Sequence, residues 1–299
     1  MPRVYLIDAS YFIFRAYYSM PPDMADPDGR PVNALYGFAK FLGDLLESER
    51  PSHVAIAFDE SLSSSFRNKI YPPYKANREP APMELKQQFS RCQELCGLMG
   101  LAAYSSSEYE ADDIIGTLSS GLRSEGCHSV IVTRDKDLAQ LIRHGDQFWD
   151  FAGGVRLDYG QIPARFGVYP ERIADYLALT GDAVDNIPGV PGIGPKTAAT
   201  LFAEFASLEE LYANLPRVRA MSIRGAANVV HRLESHRETA FLARELTRIA
   251  CDGPFEGRLE RLRRLALQEE SLTRFYDSAG FGSLLRRQAE RIRTTTDSV

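Results

Sequence analysis

Residues 129–137 read Ser-Val-Ile-Val-Thr-Arg-Asp-Lys-Asp, a run of β-branched residues that leads into two acids. A short apolar run bounded by polar residues is typical of a strand that is buried on both faces of a sheet. Two similar runs lie upstream, where residues 4–7 precede Asp8 and residues 54–58 precede Asp59. Because stretches of helical period separate these runs, the sequence predicts an α/β domain with a mainly parallel sheet.

Further elements continue this alternation up to about residue 160. Asn33 is a candidate N-cap for a helix that ends near Leu46. More helices are predicted at 84–99, 110–123 and 137–143, and more strands at 101–104 and 147–151. Beyond this point only short helices are predicted, at 160–166, 170–179, 195–204, 207–213, 224–233, 235–248 and 271–287. We therefore divide the chain into an α/β domain (1–165), a helical domain (166–293) and a flexible tail (294–299).

The charge of the chain is uneven. Its 299 residues include 35 Lys and Arg against 40 Asp and Glu, so the formal net charge is −5. Proteins that bind nucleic acid are usually basic, and this total argues against such a partner. Residues 61–91, however, carry six basic and two acidic residues and four prolines, which interrupt regular structure. This segment is predicted to be a loop that contacts phosphates.

Membrane and secretory classes are disfavoured by the sequence. No apolar run approaches the ~18 residues of a membrane-spanning helix, and the first residues lack the layout of a secretory signal. The four cysteines, at positions 92, 96, 127 and 251, lack the spacing of a zinc site. We expect them to be small buried thiols in a reducing cytoplasm.

Acids follow the predicted strands at the point where each strand ends. Asp8 and Asp59 end the first two strands, and Asp135 and Asp137 follow a third. The carboxyl ends of parallel strands share one edge of the sheet, where ligands bind. Carboxylates gathered there repel one another unless cations or protons neutralise them. An all-oxygen site without His or Cys suits Mg²⁺ or Mn²⁺.

Two more acid groups extend this pattern. Glu110, Asp112 and Asp113 stand at a predicted helix start, and Asp182 and Asp185 lie three residues apart. Each acid alone is consistent with a solvated side chain or a helix cap. The whole constellation favours metal ligands.

Residues 188–198, Pro-Gly-Val-Pro-Gly-Ile-Gly-Pro-Lys-Thr-Ala, superficially resemble a nucleotide-binding P-loop. Pro195 intervenes before Lys196 and no strand precedes the segment, so we reject that interpretation. A helix–hairpin–helix at 186–204, with its second helix starting at Pro195, fits better. Its glycines bring backbone amides close to an anion, as in proteins that hold a DNA phosphate without reading bases. A tight structural turn is the alternative.

These motifs together resemble the 5′ nuclease family. The similar stretches, in chain order, are Leu6-Ile7-Asp8 with Phe14-Arg15, Phe58-Asp59, Phe66-Arg67 through Tyr71-Pro72-Pro73-Tyr74-Lys75-Ala76-Asn77-Arg78, Glu110 to Asp113, Thr133 to Asp137, and Gly181-Asp182 through Lys196-Thr197. The nearest counterparts are the amino-terminal 5′→3′ exonuclease domain of bacterial DNA polymerase I and free-standing bacterial and phage enzymes. The resemblance implies a PIN-like α/β fold with a basic helical arch at 61–91 and a helical DNA-binding domain.

The resemblance also implies roles for individual residues. The first group of metal ligands is Asp8, Asp59, Glu110, Asp112 and Asp135, with Asp113 close by; the second is Asp137, Asp182 and Asp185. Lys75 and Arg78 resemble the arch residues that contact the scissile phosphate. The other implied DNA contacts are Arg15, Arg67, Tyr74, Gly192, Gly194, Lys196 and Thr197. The implied cofactors are two or more Mg²⁺ or Mn²⁺ ions, and K⁺ is a candidate at the hairpin.

The expected function is a structure-dependent 5′→3′ exonuclease or 5′-flap endonuclease that hydrolyses DNA in replication or repair. Its expected partner is DNA with a 5′ flap, nick or 5′ end, with an RNA primer–DNA hybrid as a further candidate, and the chain is expected to be a monomer. The sequence does not rank exonuclease against endonuclease activity. We favour a free-standing enzyme over a domain cut from a polymerase.

Three other functions were weighed. One is a catalytically inactive module that binds DNA structures, and the complete acid set argues against it. An aspartyl phosphatase would need a second Asp at position 10, where the chain has Ser10. A related ribonuclease is disfavoured by the hairpin and the basic insertion. Setting the nine candidate ligands aside turns the net charge from −5 to +4, which predicts DNA binding that depends on divalent metal and falls with salt.

Overall fold

The computed structural model describes residues 1–60 and 64–296. The strands are β1 (Arg3–Asp8), β2 (Val54–Asp59), β3 (Ala102–Ser106), β4 (His128–Val132), β5 (Gln147–Asp150) and β6 (Val155–Asp158). The α-helices are α1 (Ala9–Ser19), α2 (Asn33–Glu49), α3 (Phe66–Ile70), α4 (Met83–Leu98), α5 (Ala111–Ser124), α6 (Ile162–Phe166), α7 (Ile173–Thr180), α8 (Pro195–Glu204), α9 (Leu208–Ala213), α10 (Leu215–Ala220), α11 (Ala226–Ser235), α12 (Arg237–Thr247), α13 (Glu269–Ser278) and α14 (Ser283–Thr296). Short 3₁₀ segments cover Lys136–Leu141, Tyr159–Gln161, Pro170–Arg172 and Leu259–Leu262.

Internal packing groups the chain into two units that are discontinuous in sequence. The first unit comprises Met1–Glu60, Pro80–Arg134 and Cys251–Val299. The second comprises Ser61–Glu79 and Asp135–Ala250. The last part of the chain therefore packs with the amino-terminal part.

The first unit is built on a parallel sheet. Its strand order is β3-β2-β1-β4, and all three pairings in this set are parallel. In this register Ile7 pairs with Val132, so that Asp8 and the residue after β4 reach the same edge of the sheet. In the second unit, β5 and β6 form an antiparallel pair. The predicted α/β class with a mainly parallel sheet is confirmed.

Apolar side chains on both faces of the strands form the core of the first unit. Four consecutive residues of β1, from Val4 to Ile7, are buried, which requires cover on both faces of the sheet. Helix α2 contributes the fully buried Leu35, Phe38 and Leu42 at helical spacing. Each such side chain stabilises the fold by roughly 1.5–3 kcal/mol relative to an exposed one. These contacts fix the strand ends that carry the acids.

Several predicted elements differ from the observed ones. The helix predicted at 271–287 is two helices, because Gly280 adopts a left-handed φ of 67° and ends the turn after α13. Strand β6 and helix α1 were not predicted. Helix α14 extends to Thr296, so the first part of the predicted tail is helical, and residues 297–299 lie outside the described residues. In the predicted arch at 61–91, α3 covers Phe66–Ile70 and α4 begins at Met83. Residues 61–63 of the arch lie outside the described residues.

Burial of the cysteines follows the prediction at three of four positions. Cys92, Cys96 and Cys127 are buried, whereas Cys251 is exposed. Burial raises the pKa of the Cys92 and Cys127 thiols, which keeps them protonated at neutral pH. Among the helices of the described ranges, none is long and apolar enough to cross a membrane.

Candidate functional site

Asp8 and Asp59 end neighbouring parallel strands of the first unit. Asp8 is buried; its Oδ1 accepts the backbone N–H of Tyr11 at 3.3 Å, and its Oδ2 accepts the hydroxyl of Thr133 at 2.9 Å. The Oδ1 of Asp59 accepts the backbone N–H of Ala111 at 2.8 Å, which ties the end of β2 to the start of α5. The two carboxylates therefore lie at the same edge of the sheet, as the sequence predicts.

Three acids surround the start of α5, and their environments differ. Asp113 is fully buried, and its Oδ2 accepts the backbone N–H of Glu110 at 3.1 Å, one half of a capping box. Glu110 is buried, whereas Asp112 is partly exposed. Asp113 therefore has a structural role at the helix start. The metal-binding roles of Glu110 and Asp112 stay predictions.

Asp135 and Asp137 begin the 3₁₀ segment of the second unit. The Oδ1 of Asp135 accepts the backbone N–H of Asp137 at 2.9 Å. Asp135 is an exposed residue overall, but protein atoms crowd its carboxyl, and this desolvation raises the pKa of the group. Burial also raises the pKa of Asp137 well above its usual value, and the charge of Asp135 adds to the effect. Among the described residues, Oδ1 of Asp137 is buried without a hydrogen-bond partner.

Asp182 anchors a tight turn that follows α7. Its backbone exchanges two hydrogen bonds with Ile187, at 3.0 and 2.8 Å, and its Oδ1 accepts the N–H of Val184 at 2.8 Å. The Nζ of Lys136 lies 2.7 Å from Oδ2 of Asp182. Burial opposes ionisation of Asp182, but the hydrogen bond and charge of Lys136 outweigh it, and the pKa of the carboxyl is lowered.

Asp185 lies in the same turn and faces two basic residues of the predicted arch. The guanidinium of Arg78 donates to its Oδ1, and Nζ of Lys75 lies 3.8 Å from its Oδ2. The hydroxyl of Tyr74 reaches the same Oδ2 at 3.4 Å. The structure therefore brings the predicted phosphate contacts and a predicted metal ligand together within the second unit.

The acids of the second unit suit a hard divalent cation. Their donors are all carboxylate oxygens, which Mg²⁺ and Mn²⁺ prefer. The orphaned Oδ1 of Asp137 is the kind of buried acceptor that calls for a donor or a cation. Within the parts of the chain that the structure describes, no three His, Cys, Asp or Glu side chains are gathered as a ready metal cage. An ion that binds Oδ2 of Asp182 or Oδ1 of Asp185 would compete with the ammonium of Lys136 or the guanidinium of Arg78.

Two predicted DNA contacts prove to be interior residues. Arg67 is buried, and its guanidinium donates to the backbone oxygens of Leu246 at 2.8 Å and Arg248 at 2.9 Å. The ring of Tyr74 is buried, and its hydroxyl donates to Oδ2 of Asp185 at 3.4 Å. Both side chains therefore have internal partners in this structure, and their contacts with DNA stay predictions. Arg15 is exposed on α1 and remains a candidate phosphate contact.

The glycine hairpin has the predicted second helix. Helix α8 begins at Pro195, and its N-cap, Gly194, has no side chain to accept the first amides. Gly192 has a left-handed φ of 78°, and its carbonyl accepts Nη1 of Arg232 at 2.8 Å. The helix before the hairpin is α7, which ends at Thr180, earlier than the predicted start at residue 186. Gly192, Gly194 and Lys196 are exposed residues, so a phosphate can reach this part of the hairpin.

The predicted site residues do not include Lys136, Asn77 and Asn186, although all three lie in the motifs quoted above. The sequence contained a signal for Lys136, since it stands between two acids. The roles of the two asparagines depend on contacts between segments more than 100 residues apart, which no local pattern encodes.

Comparisons with known proteins agree with this fold. The matching family models define the chain as a nuclease. A family model for the 5′-3′ exonuclease N-terminal resolvase-like domain matches residues 3–167, and one for the C-terminal SAM fold of 5′-3′ exonucleases matches residues 168–270. The chain belongs to the 5′-3′ exonuclease family, as its sequence motifs predict.

Individual relatives show the extent of the match. A 5′-3′ exonuclease of Buchnera aphidicola is 32% identical over 257 residues, which cover 86% of this chain and 90% of the relative. The thermostable DNA polymerase I of Thermus filiformis is 38% identical over 95% of this chain, but the chain spans only 33% of that polymerase. A bacteriophage T5 flap endonuclease, solved with DNA and metal ions, shares the fold with a TM-score of 0.65 at 19% identity, over 99% of both chains.

Proposed function

We propose that this chain is a divalent-metal-dependent 5′ nuclease that hydrolyses phosphodiester bonds of DNA at 5′ flaps, nicks or 5′ ends. The observation that carries the proposal is the contact of Lys75 and Arg78 with Asp185. It puts groups suited to bind phosphate beside groups suited to bind metal. A phosphodiesterase needs both, because it must neutralise the phosphate and activate the attacking water.

The carboxylates would hold the ions. In the first unit the ligands would be Asp8, Asp59, Glu110 and Asp112, and in the second unit Asp135, Asp137, Asp182 and Asp185. Divalent ions, when bound, would lower the pKa of the attacking water and neutralise negative charge on the phosphate and on the leaving 3′ oxygen. We propose Mg²⁺, or Mn²⁺ in its place, because the donors are all hard oxygens.

The basic residues would hold the substrate. The planar guanidinium of Arg78 can donate two parallel hydrogen bonds to non-bridging phosphate oxygens, and Lys75 adds a compact point charge. Both would stabilise negative charge that grows in the transition state. Lys136 would keep the buried carboxylate of Asp182 ionised and therefore ready to act as a ligand, since the ammonium lowers the pKa of that carboxyl.

The glycine hairpin would hold the duplex at a distance from the reaction. Its contacts would be the amides at Gly194, Lys196 and Thr197, the turn at Gly192, and the Lys196 ammonium, all of which bind phosphate and not bases. Backbone carbonyls of the hairpin make K⁺ a candidate ion there. Arg15 would bind a further phosphate. We propose a monomer that acts in the cytoplasm, with RNA primers hybridised to DNA as additional substrates.

The test is cleavage of labelled 5′-flap, nicked and blunt duplexes by the purified chain with Mg²⁺, Mn²⁺ or EDTA. We expect cleavage only with metal, and loss of cleavage in Asp135→Ala and Asp137→Asn. Asp252→Asn, an exposed acid outside the proposed site, is the matched control and should cleave like wild type. A folded wild-type chain that cleaves none of these substrates with either ion would refute the proposal. Product lengths would separate exonuclease from endonuclease activity.

A further inference from the structure

Two short segments of the second unit are held together by hydrogen bonds from asparagine side chains. One segment is residues 73–78, which contains the basic residues proposed to bind phosphate. The other is the turn at residues 182–186, which contains two of the acids proposed to bind metal. Nδ2 of Asn186 donates to the backbone oxygen of Pro73 at 2.7 Å, and Nδ2 of Asn77 donates to the backbone oxygen of Ala183 at 2.9 Å.

These two bonds flank Lys75 in sequence. Asn186 fixes the residue two positions before Lys75, and Asn77 lies two positions after it. Between them, the backbone N–H of Lys75 donates to the backbone oxygen of Asp185 at 2.9 Å. Lys75 is therefore held on the turn at residues 182–186 by its own backbone N–H. The side-chain amides of Asn186 and Asn77 hold the residues two positions before and two positions after it.

The backbone conformation at this contact is unusual. Lys75 has a φ of 54° and Asn186 a φ of 56°, and both residues lie in the left-handed region. Asparagine is enriched there, whereas lysine is disfavoured by its β-carbon. Strained residues of this kind persist where surrounding contacts over-determine them, and they concentrate at functional sites. At Lys75, the surrounding contacts are the hydrogen bonds of Asn77, Asn186 and Asp185.

The contact contributes little apolar burial. Asn77 is exposed and Asn186 is partly exposed, and both donate to loop carbonyls instead of packing in a core. The two side-chain hydrogen bonds therefore add little to global stability, and the buried apolar side chain of residues 73–78 is that of Tyr74. What the contact does determine is the position of Lys75 and Arg78 relative to Asp182 and Asp185.

We propose that Asn77 and Asn186 are positioning residues for phosphodiester hydrolysis, an inference that rests on the proposed function of this site. They dock the basic segment on the acidic turn, so that the phosphate-binding cations and the metal-binding carboxylates are assembled before DNA arrives. Such preorganisation removes an ordering cost from the transition state, and a displacement of about 1 Å can cost roughly 10²-fold in rate. The asparagines act through Lys75 and Arg78 and touch no substrate.

The test compares Asn77→Ala and Asn186→Gly with the matched control Asn228→Ala, an exposed asparagine on α11. Glycine at 186 keeps the left-handed backbone and removes only the side-chain donor. We expect the single-turnover rate of flap cleavage to fall by about 10- to 100-fold in the two variants. The Kd for flap DNA in EDTA should stay within about twofold and the melting temperature within about 2 °C of wild type.

A double-mutant cycle separates positioning from a general effect on structure. If the asparagines act partly through Arg78, Asn77→Ala should cost less rate in an Arg78→Ala background than in wild type, because the effects of coupled residues are not additive. Additive losses, or rates equal to the control, would overturn the inference. If wild type cleaves DNA and both asparagine variants cleave at the wild-type rate, the positioning role is refuted and the proposed nuclease function is unaffected.

A metal titration gives a readout that does not depend on cleavage. Loosening the segment in Asn186→Gly should weaken the hold of Lys75 and Arg78 on Asp185, so that calorimetry finds Mn²⁺ bound up to about fivefold more tightly. The control should bind Mn²⁺ like wild type. If wild type does not cleave DNA but Asn186→Gly binds Mn²⁺ more tightly, the proposed nuclease function fails, while the role of the asparagines in docking residues 73–78 on the turn is supported. An unchanged Mn²⁺ affinity refutes that docking role.

Discussion

The Nζ of Lys136 lies 2.7 Å from Oδ2 of Asp182 and lowers the pKa of a carboxyl that burial alone would raise. Side-chain cations thus occupy the oxygens that divalent ions are proposed to bind. The same relationship holds between Arg78 and Asp185. Metal ions would therefore compete with basic side chains for these acids. We expect substitutions of the basic side chains and substitutions of the acids to have opposite effects on stability and on metal affinity.

Replacing Lys136 by Met should destabilise the chain when metal is chelated. The lowered pKa of Asp182 means that the ionised carboxylate contributes stability above its unfolded pKa, and this contribution is lost as pH falls through the folded pKa. Because Lys136 is about half exposed, we expect a cost of about 1 kcal/mol at neutral pH. Urea unfolding in EDTA measures this cost, and Mn²⁺ should restore more stability to the variant than to wild type. Equal stability of the two proteins in EDTA would contradict the prediction.

Asp137→Asn should have the opposite effect on stability. Burial raises the pKa of Asp137, with Asp135 adding to the effect, so the folded protein resists its ionisation. The ionised carboxylate therefore costs stability in full above the folded pKa, and this cost shrinks as pH falls from the folded pKa to the lower unfolded pKa. In EDTA at neutral pH the variant should melt at a higher temperature than wild type, with the difference shrinking on acidification. In Mg²⁺ the order should reverse, because a ligand that binds the folded state stabilises it. A variant that melts below wild type in EDTA would argue against this reading of the site.

Arg78→Ala should separate metal binding from catalysis. We expect flap cleavage to fall by about 10²–10³-fold, because the transition state loses a preorganised cation. Mn²⁺ affinity measured by calorimetry should rise, because Asp185 loses a competing guanidinium. Arg78→Lys should recover only part of the rate, since an ammonium lacks the planar fork. A parallel fall in rate and in Mn²⁺ affinity would show that Arg78 supports the ligands instead of competing for them.

Gly192→Ala should weaken DNA binding through the backbone of the hairpin. A β-carbon at this position meets the guanidinium of Arg232 and forces a left-handed φ on a residue that disfavours it, at a cost of about 1 kcal/mol or more. We expect a higher Kd for nicked duplex in fluorescence anisotropy, with the single-turnover rate at saturating enzyme nearly unchanged. Gly126→Ala provides a control in the first unit, since its φ of 72° imposes similar backbone strain away from the hairpin. The prediction is wrong if both variants bind DNA equally.

Arg67→Ala should lower stability and leave the salt dependence of DNA binding unchanged. The buried guanidinium donates to the buried carbonyl of Leu246 and the part-buried carbonyl of Arg248, so its removal should cost about 2–4 kcal/mol. A phosphate contact would instead reduce the slope of log K against log salt concentration by about one. Chemical denaturation and binding at several salt concentrations distinguish the two roles.

The strands and their acids could be predicted because their patterns are local. The apolar run before Asp8 and the one before Asp59 give both the sheet and the edge at which these acids lie. Burial of Arg67 could not be predicted, since its partners lie about 180 residues away along the chain. The ion pair of Arg78 with Asp185 could not be predicted for the same reason, since the two residues are 107 positions apart. Each residue fits a functional motif by itself, and their contact is seen only in the folded second unit.

Packing of the carboxyl-terminal helix against α2 has a consequence for how the chain is made. Within the first unit, Gln288 of α14 is buried beside Gly43, and its Nε2 donates to Asp44 at 2.9 Å and to Glu47 at 3.0 Å. A β-carbon at position 43 would collide with that glutamine. Helix α14 follows α2 by more than 240 residues along the chain. During synthesis the surface of α2 beside Gly43 therefore stays uncovered until α14 has been translated, and this part of the first unit cannot complete its packing before then.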